Sequence, residues 1–213
     1  MGQKIVMAIT GLSLTGFLVA HLGGNLNLFA GEAAFNGYAE KLHSLGPLLA
    51  VAEVGLFGLF VGHLLLALST SAMSRKARRK NYEVKESKQS GFVLPNGGAA
   101  DRMLVTGLVV GAYMIWHVVE MKLNVRGFEG EESKYQLVRN ILRNPINAVI
   151  YPLALVALGI HLSHGIASAL QTLGLNSKRW HKFLKVGGMG LAWILAVGFL
   201  AVVAWAFAFP PHS

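Results

Sequence analysis

Long uncharged runs alternate with short charged segments along this chain. The runs cover residues 5–29, 46–72, 103–119, 146–173 and 186–209. Apolar runs of about 18 residues or more are typical of helices that cross a membrane. The third run is slightly shorter and is bracketed by Arg102 and Glu120, and Glu53 is the one charge inside the second run. The pattern predicts an all-α fold, an integral membrane bundle of five transmembrane helices that forms one domain over residues 1–213.

The first run resembles a secretory signal because Lys4 precedes it. It is longer than the apolar core of a signal peptide, it lacks a convincing cleavage site, and it contains His21. We therefore expect a retained transmembrane helix at this position.

The segments between the runs are too short to hold a soluble domain. A turn is predicted at residues 95–98, Pro-Asn-Gly-Gly, within the segment 74–102. Residues 135–142, in the segment 122–145, are expected to form a short helix at the membrane surface.

The distribution of Lys and Arg predicts the orientation of the helices, since cytoplasmic connections of membrane proteins carry an excess of both. One side has thirteen basic residues: Lys4, Arg75, Lys76, Arg78, Arg79, Lys80, Lys85, Lys88, Arg102, Lys178, Arg179, Lys182 and Lys185. The other side has six: Lys41, Lys122, Arg126, Lys134, Arg139 and Arg143. The N-terminus is therefore predicted to be cytoplasmic and the C-terminus to lie outside.

The composition limits the chemistry of the chain. Charged residues make up 14% of its 213 residues, against about 25% in a typical soluble domain. Cysteine is absent, which excludes disulfides, iron–sulfur ligation and covalent attachment of c-type haem. The net charge of +9 is explained by positively charged cytoplasmic loops, so it does not indicate nucleic-acid binding.

Four of the eight histidines lie deep in four different runs: His21, His63, His117 and His161. At about 1.5 Å per helical residue, His21 and His117 lie roughly 24 and 21 Å from the cytoplasmic ends of their runs. By the same measure His63 and His161 lie roughly 25 and 22 Å from the outer ends. In an apolar layer of about 30 Å, the four therefore form two pairs, one towards each side.

Two histidines at one depth, on different helices, suit the two axial positions of a haem iron. Zinc or copper would need three or four ligands around one ion, which the two levels prevent for all four histidines. The alternative is a neutral histidine bonded to a neighbouring helix, but one such residue in each of four helices favours a cofactor. Small residues on these helices would leave room for a porphyrin: Gly55, Gly58, Gly62, Gly107, Gly111, Ala154, Ala157, Gly165 and Ser168.

At these histidines the chain resembles the cytochrome b subunit of succinate:quinone oxidoreductases (succinate dehydrogenase or fumarate reductase), in the five-helix, two-haem, single-anchor class. The matching segments are MAITGLSLTGFLVAHLGGNLNLF, AEVGLFGLFVGHLLLAL, YMIWHVVEMK and GIHLSHGIASALQTLG, one around each histidine. The resemblance implies two haem b groups. His21 and His117 would bind the outer one, and His63 and His161 the inner one.

The resemblance also implies the partners and the place of this chain in the respiratory chain and the tricarboxylic acid cycle. A flavoprotein subunit would oxidise succinate, and an iron–sulfur subunit would dock on the cytoplasmic face. Electrons would pass through this anchor to a membrane quinone, with menaquinone favoured by the family. The location implied is the bacterial cytoplasmic (inner) membrane, and the chain itself carries no succinate-oxidising site.

Other polar residues are candidates for secondary roles. His164 lies one helical turn after His161, and the family motif together with depth favours His161 as the ligand. The quinone site is expected near the outer haem, where Glu53, His43 and Glu120 are candidates. The competing cytoplasmic candidates for that site are His164 and Ser168. His181 is expected at the iron–sulfur interface or in solvent, and His212 in solvent.

Two other functions remain open. One is a di-haem cytochrome b anchor of another respiratory dehydrogenase, such as a formate dehydrogenase or hydrogenase. The other is a transporter in which buried histidines relay protons. A haem stain separates the transporter, because such a protein would be colourless.

Overall fold

The computed structural model describes residues 2–77, 99–130, 132–175, 177 and 179–209. The helices are α1 (Gly2–Asn25), α2 (Glu32–His43), α3 (Pro47–Ala77), α4 (Ala99–Met121), α5 (Lys134–Arg143), α6 (Pro145–Thr172) and α7 (His181–Ala208). A 3-10 helix, Leu26–Ala30, continues α1. No strand occurs in the described part of the chain, which confirms the all-α fold.

Five helices in the described ranges are long and apolar enough to cross a membrane, as the sequence predicts. These are α1 with its 3-10 extension, α3, α4, α6 and α7. α4 extends beyond the third apolar run, 103–119, at both ends, because the helix includes the two flanking charges, Arg102 and Glu120. Charged side chains stop an apolar run in the sequence but do not stop a helix, whose backbone bonds continue through them.

Two short helices, α2 and α5, lie together at one end of the bundle, which we call the α2/α5 end. Asn36 of α2 donates to the Ser133 hydroxyl at 3.1 Å and accepts from the Tyr135 backbone at 3.0 Å. Ser133 in turn donates to the Glu32 carboxylate. The helix expected at residues 135–142 is present as α5, whereas α2 was not predicted.

The core lies mainly between α6, α7 and α1. Gly159 of α6 brings α6 and α7 close together, because a Cβ atom at that position would lie 3.0 Å from Ala196 and 3.1 Å from the Trp193 ring. Small residues at such contacts allow the close helix packing that stabilises membrane bundles. The described side chains of α3, in contrast, include none that is buried within this chain.

Several positions named above lie outside the described residues. These are Arg78, Arg79, Lys80, Lys85, Lys88, the turn at 95–98, Lys178 and His212.

Candidate functional site

His21 and His117 meet between α1 and α4. Their ring centroids are 5.9 Å apart and their planes stand at 85°. His21 stacks on Phe17 at 5.3 Å and lies 5.7 Å from Phe199. On the other side, the Tyr151 hydroxyl of α6 is 3.4 Å from Nδ1 of His117. This pair therefore has mostly aromatic surroundings.

His63 of α3 and His161 of α6 are the second predicted pair, and each contacts a threonine of a neighbouring helix. Nδ1 of His63 lies 3.1 Å from the Thr10 hydroxyl of α1, and Nδ1 of His161 lies 3.2 Å from the Thr106 hydroxyl of α4. Each histidine of this pair is therefore held from a neighbouring helix through one ring nitrogen.

The structure thus brings His21 and His117 into ring contact, and it places His63 and His161 beside Thr10 and Thr106. Thr10, which contacts the second pair, lies 11 residues before His21 on α1. At about 1.5 Å per residue, the two levels are separated by roughly 16 Å along the helix.

Two imidazole donors at one level are chemically suited to a haem iron. Two nitrogens bonded to one metal ion at about 2 Å each lie about 4 Å apart, so the centroids of two opposed imidazoles lie somewhat further apart, as in the His21–His117 pair. In the described ranges, no group of three or more His, Asp or Glu side chains is placed to hold a metal ion. Room is present along α3, where a Cβ added to Gly55, Gly58 or Gly62 would meet nothing within 4 Å.

His164 is placed differently from His161. Its ring is exposed, and its Nδ1 lies 3.1 Å from both the Ile160 carbonyl and the Ser163 hydroxyl. The His164 ring is therefore bonded to its own helix, whereas the His161 ring contacts Thr106 of α4. His43 is exposed at the C-terminal end of α2. His181 is exposed as the first residue of α7.

Glu53 lies at the α2/α5 end and forms an ion pair between α3 and α4. Its carboxylate is 2.6 Å from the ammonium group of Lys122, and the two side chains are 45% and 54% exposed. The pair therefore lies at the surface of the bundle, where a molecule arriving from the membrane can reach it.

Glu120 has the opposite environment, because it is fully buried. It accepts from Arg126 at 3.2 Å and from the side-chain amide of Asn147 at 3.0 Å. Asn147, also fully buried, accepts from the Trp116 indole at 2.9 Å and donates to the Ile141 carbonyl at 2.8 Å. The Glu120 carboxylate is thus enclosed in a network that joins α4, α5 and α6.

Sequence reasoning missed Thr10, Thr106, Tyr151 and Asn147 as partners of the site. A signal for the two threonines is present in the sequence. Thr10-Gly11 precedes His21 by the same interval of 11 residues as Thr106-Gly107 precedes His117. No comparable pattern marks Tyr151 or Asn147, whose partners lie on other helices.

Comparison with known proteins gives one informative match. No protein-family model and no solved structure matches the chain. The chain is similar to the succinate dehydrogenase cytochrome b558 subunit of Bacillus subtilis (strain 168), with 26% identity over 159 residues, 75% of this chain and 72% of that protein. The resemblance inferred from the sequence is therefore confirmed: the chain is similar to a cytochrome b subunit of succinate dehydrogenase, and its five apolar helices fit a multi-pass membrane anchor.

Proposed function

We propose that this chain is the di-haem b anchor of a succinate:quinone oxidoreductase and carries electrons between an iron–sulfur subunit and membrane quinone. The observation that carries the proposal is the ring contact of His21 with His117 between α1 and α4, with His63 and His161 at a second level beside Thr10 and Thr106. Ionisable residues at such depth are costly and usually functional.

His21 and His117 would hold one haem, and His63 and His161 the other. A haem held by two histidines would supply reversible one-electron transfer. The chain's part is to hold each imidazole at a fixed depth and orientation. Phe17, Phe199 and Tyr113 pack against the rings of His21 and His117.

The partners follow from the relative's name and from the absence of cysteine. Succinate dehydrogenase needs chemistry for oxidising succinate, and this sequence has no cysteine for an iron–sulfur cluster. We therefore expect a flavoprotein and an iron–sulfur subunit on the cytoplasmic side. That side would hold the basic residues flanking α3, α4 and α7.

Haem content tests the proposal directly. A pyridine haemochrome assay on the purified protein should return two haem b groups per chain, and the complex should contain the two partner subunits. A colourless protein would favour the proton-relay transporter, and a single haem would contradict the assignment of two pairs.

We propose that the quinone is reduced near the Glu53–Lys122 pair, at the level of His21 and His117. Reduction requires protons as well as electrons, and this pair offers a carboxylate beside a hydrogen-bond donor at the bundle surface. Glu120 is less available, because Arg126 and Asn147 enclose it. Menaquinone is the quinone that the family resemblance favours.

The test is Glu53→Gln, with Glu40→Gln on exposed α2 as the matched control. Quinone reduction should fall about 100-fold or more in the first, as expected for loss of a proton-transferring group, and stay unchanged in the control. Both haem spectra should be retained. Normal turnover in Glu53→Gln would remove this residue from the site, and a selective loss in His164→Ala would move the site to the opposite end.

A further inference from the structure

Thr10 and Thr106 occupy equivalent places beside the His63–His161 pair. Thr10 reaches His63 from α1 at 3.1 Å, and Thr106 reaches His161 from α4 at 3.2 Å. In both cases the ring atom is Nδ1. Each contact joins residues more than 50 positions apart in the sequence, so neither follows from local helix geometry.

The hydroxyl protons of both threonines have a second partner. Thr10 donates to the Met7 carbonyl at 3.1 Å, and Thr106 donates to the Arg102 carbonyl at 2.9 Å. A hydroxyl has one proton and two lone pairs. With the proton directed to the backbone, each oxygen can accept a hydrogen bond from the imidazole. Nδ1 then carries the ring proton, and the lone pair is left on Nε2.

The glycine after each threonine allows the imidazole to approach. A Cβ atom at Gly11 would lie 3.1 Å from Cε1 of His63, and one at Gly107 would lie 3.1 Å from Cε1 of His161. A larger residue in either place would force the ring to move by a few tenths of an ångström. The Thr-Gly dipeptide is therefore a small cradle for one edge of the imidazole.

The position of this cradle on its helix explains the interval of 11 residues. Three turns of an α-helix contain about 10.8 residues, so residues 11 apart lie on the same face. Thr10 and His21 thus share one face of α1, and Thr106 and His117 share one face of α4. Each of these helices contributes a histidine at one level and a threonine at the other.

We propose that Thr10 and Thr106 are positioning residues that orient His63 and His161, present Nε2 to the iron, and lower the midpoint potential of the haem between them. The inference rests on the proposed function. A hydrogen bond from Nδ1 makes an axial imidazole more basic, which favours the oxidised iron. At the other level, the Tyr151 hydroxyl lies 3.4 Å from Nδ1 of His117, and no hydrogen bond to the His21 ring is present in the described part of the chain.

The experiment replaces each hydroxyl by a methyl group in Thr10→Val and Thr106→Val, in the intact complex. Thr15→Val is the matched control, because Thr15 is buried on α1 and donates to the Gly11 carbonyl at 2.9 Å without contacting a histidine. Redox titration and low-temperature electron paramagnetic resonance report each haem separately. Thr10→Ser restores the hydroxyl.

Both valine variants should raise the midpoint potential of the same single haem and shift its resonance, while Thr15→Val and Thr10→Ser match the parent. Loss of that one haem in Thr10→Val, with retention in Thr10→Ser, would equally support the positioning role. Two unchanged potentials in both valine variants, or effects on different haems, would overturn the inference and leave the di-haem anchor intact. A parent protein without haem would instead contradict the proposed function itself.

Discussion

The four imidazoles differ in what holds their Nδ1 nitrogens. The His63 and His161 rings each contact a threonine, the His117 ring has Tyr151 at 3.4 Å, and the His21 ring is held by aromatic contacts. Hydrogen bonding to an axial ligand is one of the main means by which a protein tunes a haem. Two haems in one chain would therefore have different potentials, even with the same ligand type at both.

The pairing of ligands leads to a prediction for single substitutions. His21→Ala and His117→Ala should each remove the same one of the two haems, because a porphyrin that loses one of two axial bonds is poorly retained. His63→Ala and His161→Ala should each remove the other. Redox titration of the purified variants identifies which haem is missing.

His164→Ala provides the control, since that ring is exposed and bonded to its own helix. It should retain both haems. Loss of one haem in both His21→Ala and His63→Ala would show that the two levels are wrongly assigned.

At the scale of single residues, the sequence predicts more about the site than the motifs around the histidines do. The depths of His21, His63, His117 and His161 follow from helix rise alone, and they predict which residues meet. The hydroxyl of Thr10 could not be assigned to His63 in the same way. A position along a helix predicts depth, whereas a contact also depends on how two helices are rotated about their axes.

At the scale of elements, Asn147 joins three helices near the α2/α5 end. Its side chain accepts from Trp116 of α4, donates to Glu120 of α4, and donates to the Ile141 carbonyl of α5. The Ile141 carbonyl lies in the last turn of α5 and also accepts from the Asn144 backbone N–H at 3.2 Å. The amide thus bonds one helix end and two side chains of α4 at once.

Asn147→Ala should therefore destabilise the bundle. Three groups lose a hydrogen bond in this variant, although Glu120 keeps Arg126 and the Ile141 carbonyl keeps the Asn144 N–H. The Trp116 indole is left without a partner, and such a group costs about 1–3 kcal/mol when it is buried. Thermal unfolding in detergent should show a clearly lowered midpoint.

Asn140→Ala is the matched control, because Asn140 is only partly buried and its side chain makes one hydrogen bond, to the Glu129 carbonyl. Its midpoint should change little. An Asn147→Ala midpoint equal to that of the control would mean that the network contributes nothing measurable to stability.

The two short helices show why α5 could be predicted and α2 could not. Ser133 accepts from the Gln136 backbone and stands three residues before Gln136, the spacing of a capping box. α2 begins after Gly31, which has a φ of +95° and provides no side-chain cap. Its start depends on a glycine conformation and on contacts with α5, and neither is visible in a hydropathy pattern.

At the scale of the whole molecule, the α2/α5 end holds three cations that have partners within the chain. Lys122 pairs with Glu53, Arg126 pairs with Glu120, and Arg139 donates to the Phe209 carbonyl while lying 5.3 Å from the Trp205 ring. Half of the six basic residues at this end are therefore bonded within the chain.

The count of Lys and Arg, thirteen at the opposite end against six here, predicts that the α2/α5 end faces outward and that the N-terminus is cytoplasmic. The chain has no cysteine, so a single introduced thiol gives an unambiguous label. Ser44→Cys probes the exposed turn between α2 and α3, and Ser177→Cys probes the exposed segment before α7.

In intact cells a membrane-impermeant thiol reagent should label Ser44→Cys and leave Ser177→Cys unlabelled. After solubilisation in a denaturing detergent both should react, which controls for reactivity. Labelling of Ser177→Cys alone in intact cells would invert the topology, and the iron–sulfur subunit would then have to dock on the α2/α5 end.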